Sequence, residues 1–239
     1  MAEQLSFDLP IRRALGRDDF FVSPANALAV VMVESPTPWP GGRLVLSGPE
    51  GSGKTHLTHV WASRAGARIV SARDLREADV PRLARGPVAI EDVPEIARDI
   101  EAQKALFHLY NLMLSDGQPL LLTGRRDPAL WGLSLPDLQS RMQSAQHIGL
   151  TPPDDALLAA VLTKLFADRQ LAPKPDVIPY LVQRLDRTFA AAAEMVERMD
   201  RAALAEGRTL TRALAARLLG TPTLELDEPE QPHRVHQGD

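Results

Sequence analysis

The sequence predicts an α/β protein, in which a parallel sheet of five strands is covered by helices on both faces and is followed by a small all-helical region. Three observations predict this fold. Short apolar runs alternate with helical patterns up to about residue 150, a glycine-rich loop joins the first run to a helix, and no strand pattern follows Thr151. The 239 residues, of which 44% are hydrophobic, are enough to bury a sizeable core.

The predicted strands are apolar along their length, which is typical of parallel strands buried on both faces. A helix is predicted before the first strand, over residues 25 to about 34, because Ser23 can cap it and Pro24 suits its first position. Two more are predicted over Ile100–Ser115 and, as a short helix, between Asp137 and Met142. The predicted strands cover residues 43–47, 67–71, 86–92, 119–124 and 146–150.

The C-terminal region is predicted to contain four helices, over about 153–168, 175–185, 188–206 and 210–219. In the third of these helices, apolar residues recur at helical spacing, so we expect them to form its packed face. The residues of this face are Phe189, Ala192, Val196, Met199 and Ala203.

A glycine-rich loop with the pattern G-x-x-x-x-G-K-T follows the first strand and precedes a helix. This strand–loop–helix context distinguishes a phosphate-binding P-loop from a glycine-rich turn, which is the alternative interpretation. The backbone amides of the loop would face phosphate oxygens, Lys54 would reach the β- and γ-phosphates, and the Thr55 hydroxyl would ligate Mg²⁺. The predicted phosphate-binding residues are Gly48, Gly51, Ser52, Gly53, Lys54 and Thr55.

Two acidic residues end the third predicted strand. A P-loop needs a second carboxylate element, so Glu91 is predicted on the metal side and Asp92 as the water-activating acid. The alternative is a solvated strand end. Thr123 ends the fourth strand, where its hydroxyl could sense the γ-phosphate or orient water, although many strands end in threonine.

Composition limits the function classes. The net charge of −4 gives no global attraction to nucleic acid, and the absence of cysteine excludes disulfides. We find neither an apolar run of membrane-spanning length nor a signal peptide, so a cytoplasmic location is expected. Only four of the 27 basic residues are lysines, and Lys54 is the only lysine among the first hundred residues.

The N-terminal peptide alternates apolar residues at Leu5, Phe7 and Leu9. This period of two is strand-like, and a frayed end or an edge strand explains it. An alternative is a short peptide that docks on a partner with alternate side chains in pockets.

Several motifs resemble those of the DnaA-type replication initiators, a branch of the AAA+ ATPases. They are the G-K-T-H-L-T-H run from Gly53, F-H-L-Y-N from Phe107, L-T-G from Leu122 and L-P-D-L-Q-S-R from Leu135. The resemblance covers about residues 18–219. It implies a P-loop AAA+ αβα sandwich with the fourth strand between the P-loop strand and the acidic strand, a small all-α lid domain, and a bound ADP or ATP with Mg²⁺. It also makes His56 and His59 helix-packing residues rather than metal ligands.

The expected domain boundaries follow from the extent of the resemblance, from the shift in composition at Thr151, and from the acidic, proline-rich sequence beyond Gly220. They are an N-terminal peptide and linker at 1–17, an AAA+ nucleotide-binding domain at 18–151, a helical lid at 152–219 and a disordered acidic tail at 220–239.

The compact form resembles the Hda family, DnaA homologues that switch off the initiator. We expect this chain to lack the N-terminal interaction domain and the C-terminal DNA-reading domain of full-length initiators. Members of the family begin with a Q-L-x-L-x-L-like peptide that binds the sliding clamp of the replicase. Gln4, Leu5, Phe7 and Leu9 fit that role, with Phe7 and Asp8 as departures. The implied partners are the DnaA initiator and the sliding clamp, and the implied location is the nucleoid, reached through the clamp.

The resemblance also suggests which residues act on the nucleotide. It implies that Arg141 is an arginine finger for the ATP of the initiator, whereas a surface arginine is the alternative. The lid normally supplies a second-sensor arginine where this chain has Ala190, so weak or no intrinsic hydrolysis is expected. The alternative function is an ATPase of the same branch that acts on DNA directly, such as a helicase loader. The oligomeric state stays open, and a homo-oligomer is one possibility.

Overall fold

The computed structural model describes residues 22–24, 26–35, 37–206 and 209–220. The predicted docking peptide, with Gln4, Leu5, Phe7 and Leu9, lies outside the described residues, as does the predicted tail beyond Gly220.

The core of the fold is a sheet of five parallel strands in the order β2-β3-β4-β1-β5. The predicted strands are confirmed, with shifts at their ends of no more than two residues. The fourth strand pairs with both the first and the third, as the resemblance implied, so the P-loop strand is central. The strands are β1 (Arg43–Ser47), β2 (Arg68–Ser71), β3 (Val88–Glu91), β4 (Leu120–Gly124) and β5 (Gln146–Gly149).

Both faces of the sheet are buried, because successive strand residues enter two different apolar clusters. Leu44 and Leu46 pack on one face with residues of the first two helices, whereas Val45 packs on the other face. Strands of this kind are apolar along their length, which is why the sequence shows runs rather than alternation. The helices of this region are α1 (Ala27–Glu34), α2 (Lys54–Ala65), α3 (Val80–Leu83), α4 (Ile100–Ser115) and α5 (Pro136–Ser144).

The start of α1 differs from the prediction. The helix begins at Ala27, and Asn26 rather than Ser23 occupies the N-cap. The Asn26 side chain accepts a hydrogen bond from the Ser23 amide at 2.9 Å, and the Ser23 carbonyl accepts from the Ala27 amide. Asparagine side chains compete with the helix for backbone groups in this way, so a turn precedes the helix.

The last four helices pack around a separate apolar cluster that contains Leu158, Phe166, Leu181, Val196 and Met199. The first of them is capped by Asp154, whose carboxylate accepts from the Leu157 amide at 2.7 Å. None of the helices in the described part of the chain is long and apolar enough to cross a membrane. These helices are α6 (Asp155–Asp168), α7 (Val177–Val182), α8 (Phe189–Glu206) and α9 (Arg212–Leu218).

The buried Arg43 forms hydrogen bonds that join several segments at the amino-terminal ends of the strands. Arg43 is only 2% exposed, and its guanidinium donates to the carbonyls of Gly42, Gln118 and Tyr110 at 2.9–3.1 Å. The same group lies 4.8 Å from the centre of the Tyr110 ring. Burial lowers the pKa of Arg43, and the nearby tyrosine partly offsets that effect. Arg43 therefore links the start of β1 to the second half of α4 and to the segment just before β4.

Replacing Arg43 with alanine is expected to lower the free energy of unfolding by about 3 kcal/mol, because a cavity forms and buried carbonyls lose their donor. Urea unfolding followed by circular dichroism measures the change. Arg64→Ala, on the exposed surface of α2, is the control and should stay within about 0.5 kcal/mol of the wild type. Equal midpoints for the two variants would contradict the structural role of Arg43.

Candidate functional site

The P-loop leaves the carboxyl edge of the sheet between β1 and β4. The Gly48 amide donates to the Gly124 carbonyl at the end of β4, at 3.2 Å, so the loop begins in contact with the neighbouring strand. Gly51 and Gly53 have φ of 73° and 95°, a conformation that favours glycine, and Gly53 is the N-cap of α2. No side chain in the described residues caps the first turn of α2, which leaves the cap to the loop itself.

Lys54 points back onto the loop that precedes it. Its ammonium donates to the carbonyls of Gly48 and Pro49, both at 2.8 Å, and the residue is 8% exposed. Burial lowers its pKa, although Asp92, Glu50 and Glu91 oppose the change, and Arg125 adds to it. A buried cation is therefore held at the loop, within reach of three carboxylates and one other cation.

The acidic pair and the threonine meet beside the loop. Glu91 ends β3, and Asp92 follows it in a left-handed conformation, with φ 57°. The Asp92 amide donates to the Thr123 hydroxyl at 3.1 Å, so the ends of β3 and β4 are joined directly. The structure thus brings Glu91, Asp92 and Thr123 together at the carboxyl edge where Lys54 lies.

These residues fit a Mg²⁺–nucleotide. The Thr55 hydroxyl is exposed in the first turn of α2, and the buried Oε1 of Glu91 has no hydrogen-bond partner among the described residues. Mg²⁺ is typically bound through one or two protein oxygens, with phosphates and water completing its coordination. A hydroxyl and a carboxylate that lacks a partner are the donor types that such an ion needs.

The lid contacts the P-loop through the start of α8. The Phe189 amide donates to the Gly51 carbonyl at 3.4 Å. A Cβ on Gly53 would lie 2.9 Å from Phe189 Cε2, and a Cβ on Gly51 would collide with Thr188. Both glycines therefore permit the close approach of the lid as well as the curl of the loop.

The predicted packed face of α8 is correct except at its first residue. Ala192, Val196 and Met199 are fully buried in the lid, and Ala203 packs partly against the same cluster. Phe189 instead lies against the P-loop glycine, because it is the first residue of the helix and faces the other domain.

The lid arginines that could replace a second sensor are held elsewhere. Ala190 is exposed on α8. The Arg187 guanidinium pairs with Asp155 at 2.6 Å, and Arg184 stacks on the Tyr180 ring at 4.0 Å. Neither arginine has a P-loop residue among these contacts.

Arg141 lies on α5, where two aromatic rings of α4 support it. Its guanidinium is 5.4 Å from the centre of the Phe107 ring and 5.2 Å from that of Tyr110, which are cation–π distances. Within the described residues, no carboxylate lies at ion-pair distance from it, and the side chain is partly exposed. Arg141 is therefore a positive charge that is held in place without being neutralised.

Arg141 lies near the amino-terminal ends of the parallel strands, whereas the P-loop lies at their carboxyl ends. Arg141 shares the Tyr110 ring with Arg43, which is the first residue of β1, whereas the P-loop follows Ser47 at the other end of that strand. Four residue steps along a parallel strand span about 13 Å. The structure does not bring Arg141 to the P-loop of its own chain.

The histidine pair of α2 takes part in no metal site in the described residues. His56 and His59 are both partly buried, and no group of three or more histidine or acidic residues there is placed to hold a metal ion.

A third histidine, His147, joins β1 to β5. His147 Nε2 lies 2.7 Å from the Ser47 hydroxyl, and its Nδ1 lies 3.7 Å from Asp127. The order of these groups resembles a nucleophilic triad, but Ser47 is only 5% exposed at the end of β1, so its hydroxyl is not accessible to a substrate. The hydrogen bond serves to fix the strand that feeds the P-loop.

Sequence reasoning missed one charged contact of the site. Arg125 pairs with Glu50 of the P-loop at 3.1 Å. The signal that could have pointed to it is its place directly after the Leu122-Thr123-Gly124 motif.

The sheet, the P-loop and the helices that follow define the fold, which is a P-loop αβα sandwich of the AAA+ type with a helical lid. No protein-family model matches the chain. Among solved structures, domain III of the DnaA replication initiator from Thermotoga maritima is similar over 89% of this chain and 98% of that chain, with a TM-score of 0.77 and 18% identity.

This chain covers a smaller share of two longer solved structures. DnaA from Aquifex aeolicus, bound to AMPPCP, is matched over 80% of this chain and 65% of that chain, with a TM-score of 0.64 and 20% identity. A point variant of RuvB from Thermotoga maritima gives a TM-score of 0.59 at 18% identity, over 74% of this chain and 61% of that chain. The fold is thus similar to that of domain III of DnaA, and RuvB shares it.

Proposed function

We propose that this chain is a nucleotide-binding regulator of DNA replication initiation, of the Hda type. It docks on the sliding clamp through its N-terminal peptide and stimulates ATP hydrolysis by the DnaA initiator through Arg141. The observation on which this proposal rests is the guanidinium of Arg141, which is held over two rings without a carboxylate partner in the described residues.

The position of Arg141 favours action on a partner. It lies near the amino-terminal end of β1, whereas the P-loop follows the carboxyl end of that strand, about 13 Å further along. In this proposal its charge therefore serves an anion outside this chain. Contact with the Phe107 and Tyr110 rings restricts the side chain, and among the described residues no carboxylate pairs with the guanidinium, whose N–H donors point outward in a planar fork. A guanidinium of this kind stabilises the charge that develops on a transferred γ-phosphate.

The nucleotide of the chain itself has a different role in this proposal. Lys54, the amides of the P-loop and the first turn of α2 hold the phosphates of ADP or ATP, and Thr55 and Glu91 hold Mg²⁺. When bound, the ion neutralises phosphate charge. With Ala190 where the second sensor arginine is expected and Arg187 bound to Asp155, the lid offers little stabilisation of a transition state, so intrinsic hydrolysis is weak. The similar fold of AMPPCP-bound DnaA supports nucleotide binding.

The N-terminal peptide supplies the contact with the clamp. Gln4 anchors through its amide, and Leu5, Phe7 and Leu9 occupy apolar pockets from alternate positions. Replacing Gln4 and Leu5 together with alanine is expected to weaken retention on immobilised clamp by at least about tenfold, because an anchoring hydrogen bond and a buried side chain are lost. The control, Glu3→Ala with Ser6→Ala, alters one flanking position and one intervening position. Equal retention of both double variants would contradict docking by this peptide.

The experiment that tests the proposal measures hydrolysis of ATP bound to DnaA, with clamp loaded on DNA and with or without this protein. We expect faster conversion to ADP only when the clamp, the initiator and this chain are all present. The alternative, an ATPase that acts on DNA, predicts binding to single-stranded DNA and DNA-stimulated hydrolysis without the initiator. That second pattern would overturn the proposal.

A further inference from the structure

An ion pair bridges the P-loop and the end of the neighbouring strand. Arg125, the first residue after β4, contacts Glu50 in the P-loop with a nitrogen–oxygen distance of 3.1 Å. Both side chains are well exposed, at 59% and 76%. Arg125 also lies near enough to Lys54 to act on its pKa. A second cation is therefore already present at the phosphate-binding loop.

The backbone fixes where Arg125 leaves the sheet. Gly124 accepts a hydrogen bond from the Gly48 amide, and Thr123 accepts one from the Asp92 amide. Arg125 follows these two anchored residues directly, so its Cα has little freedom while its long side chain keeps several rotatable bonds. Its side chain turns toward the P-loop, where it meets Glu50.

The lid lacks a cation at the position where one is expected. Ala190 occupies it, Arg187 is engaged by Asp155, and Arg184 is stacked on Tyr180. A triphosphate bound at this loop would have Lys54 for its inner phosphates, and neither Arg184 nor Arg187 of the described lid residues is available for its terminal one. Arg125, by contrast, has a guanidinium that already contacts the loop through Glu50.

We propose that Arg125 is a phosphate-binding residue that exchanges Glu50 for the γ-phosphate when a nucleoside triphosphate binds. The inference rests on the nucleotide binding proposed above. Glu50 holds the side chain near the loop until the phosphate arrives. The exchange is favourable, because an exposed ion pair changes an equilibrium by a factor of about five or less, whereas a charge-assisted bond to phosphate contributes about tenfold or more.

The test compares the affinity of the full chain for a fluorescent non-hydrolysable ATP analogue and for fluorescent ADP. Arg125→Ala is expected to weaken the ATP analogue by about tenfold or more and ADP by less than about threefold. Glu50→Gln, which frees Arg125, is expected to leave the analogue as tightly bound or up to about fivefold tighter. The matched control is Arg126→Ala, which removes the adjacent exposed arginine and should change neither affinity.

The possible outcomes separate this inference from the proposed function. Equal losses for the two nucleotides in Arg125→Ala, or no loss, would overturn the role of Arg125 while nucleotide binding by the wild-type chain stands. A similar loss of affinity in Arg126→Ala would mean that the loss reflects the removal of any positive charge in this region. That result would also overturn the role of Arg125. A wild-type chain that binds neither nucleotide would overturn both proposals.

Discussion

Replacing Arg141 with alanine is expected to reduce the stimulated hydrolysis of initiator-bound ATP by on the order of 10³-fold. The reason is that a guanidinium placed on a transferring phosphate stabilises transition-state charge and has no substitute once removed. Lysine at this position is expected to restore little activity, because an ammonium lacks the planar fork and stacks less well on Phe107 and Tyr110. Single-turnover conversion of initiator-bound ATP to ADP, with clamp on DNA, measures the effect.

The same variant should bind its own nucleotide as the wild type does. Arg141 lies at the amino-terminal edge of the sheet, beside the Tyr110 ring that it shares with Arg43, and the P-loop lies at the other edge. Arg64→Ala, which removes an exposed arginine from α2, is the control for charge alone. An Arg141→Ala chain that still stimulated the initiator fully would refute the arginine-finger assignment.

The aromatic support of Arg141 links two motifs that are far apart in the sequence. Phe107 and Tyr110 are three residues apart on α4, so they lie on one face of that helix. Tyr110 also contacts Arg43, whose guanidinium is fixed by three backbone carbonyls. Arg141 is thus stacked on a surface that is itself anchored to the sheet, which makes the position of its charge a property of the fold.

The strands could be predicted from the sequence because each is a short apolar run with a local signal at its ends. Burial on both faces removes the alternation that would otherwise identify a strand, but the glycines and prolines between the runs still mark the boundaries. The order of the strands is not a local property, and here it came from the resemblance to a known family. The start of α1 was predicted less accurately than the strands, because Asn26 rather than Ser23 occupies its N-cap.

The candidate site was predicted only in part, because some of its contacts depend on how distant segments meet. Lys54, Glu91 and Thr123 each follow a strand or end one, so the parallel sheet brings them to one edge. The pairing of Arg125 with Glu50 joins residues that are far apart in the sequence, and no periodicity indicates it. Helical spacing assigned Phe189 to the packed face of α8. It carries no information about the contact between the first turn of that helix and the P-loop.

Replacing Lys54 with alanine is expected to weaken nucleotide affinity by at least about 100-fold, because a buried ammonium can make two or more charge-assisted bonds to phosphate. In the structure this group donates to the carbonyls of Gly48 and Pro49, contacts that phosphates would replace. Lys104→Ala, an exposed lysine on α4 paired with Glu101, is the matched control and should bind as the wild type does. Equilibrium titration with fluorescent ADP and ATP measures both.

The pH dependence gives a second measurement on the same residue. Burial lowers the pKa of Lys54, and bound phosphate favours the charged ammonium, so the pKa rises on binding. Nucleotide affinity should therefore be constant below the lowered pKa of the free protein and fall as the pH rises from that value toward the pKa of the complex. Lys54→Ala should lack this alkaline loss of affinity while keeping any titration of the phosphates. If the wild type and the variant showed the same pH profile, Lys54 would not be the group that binds phosphate.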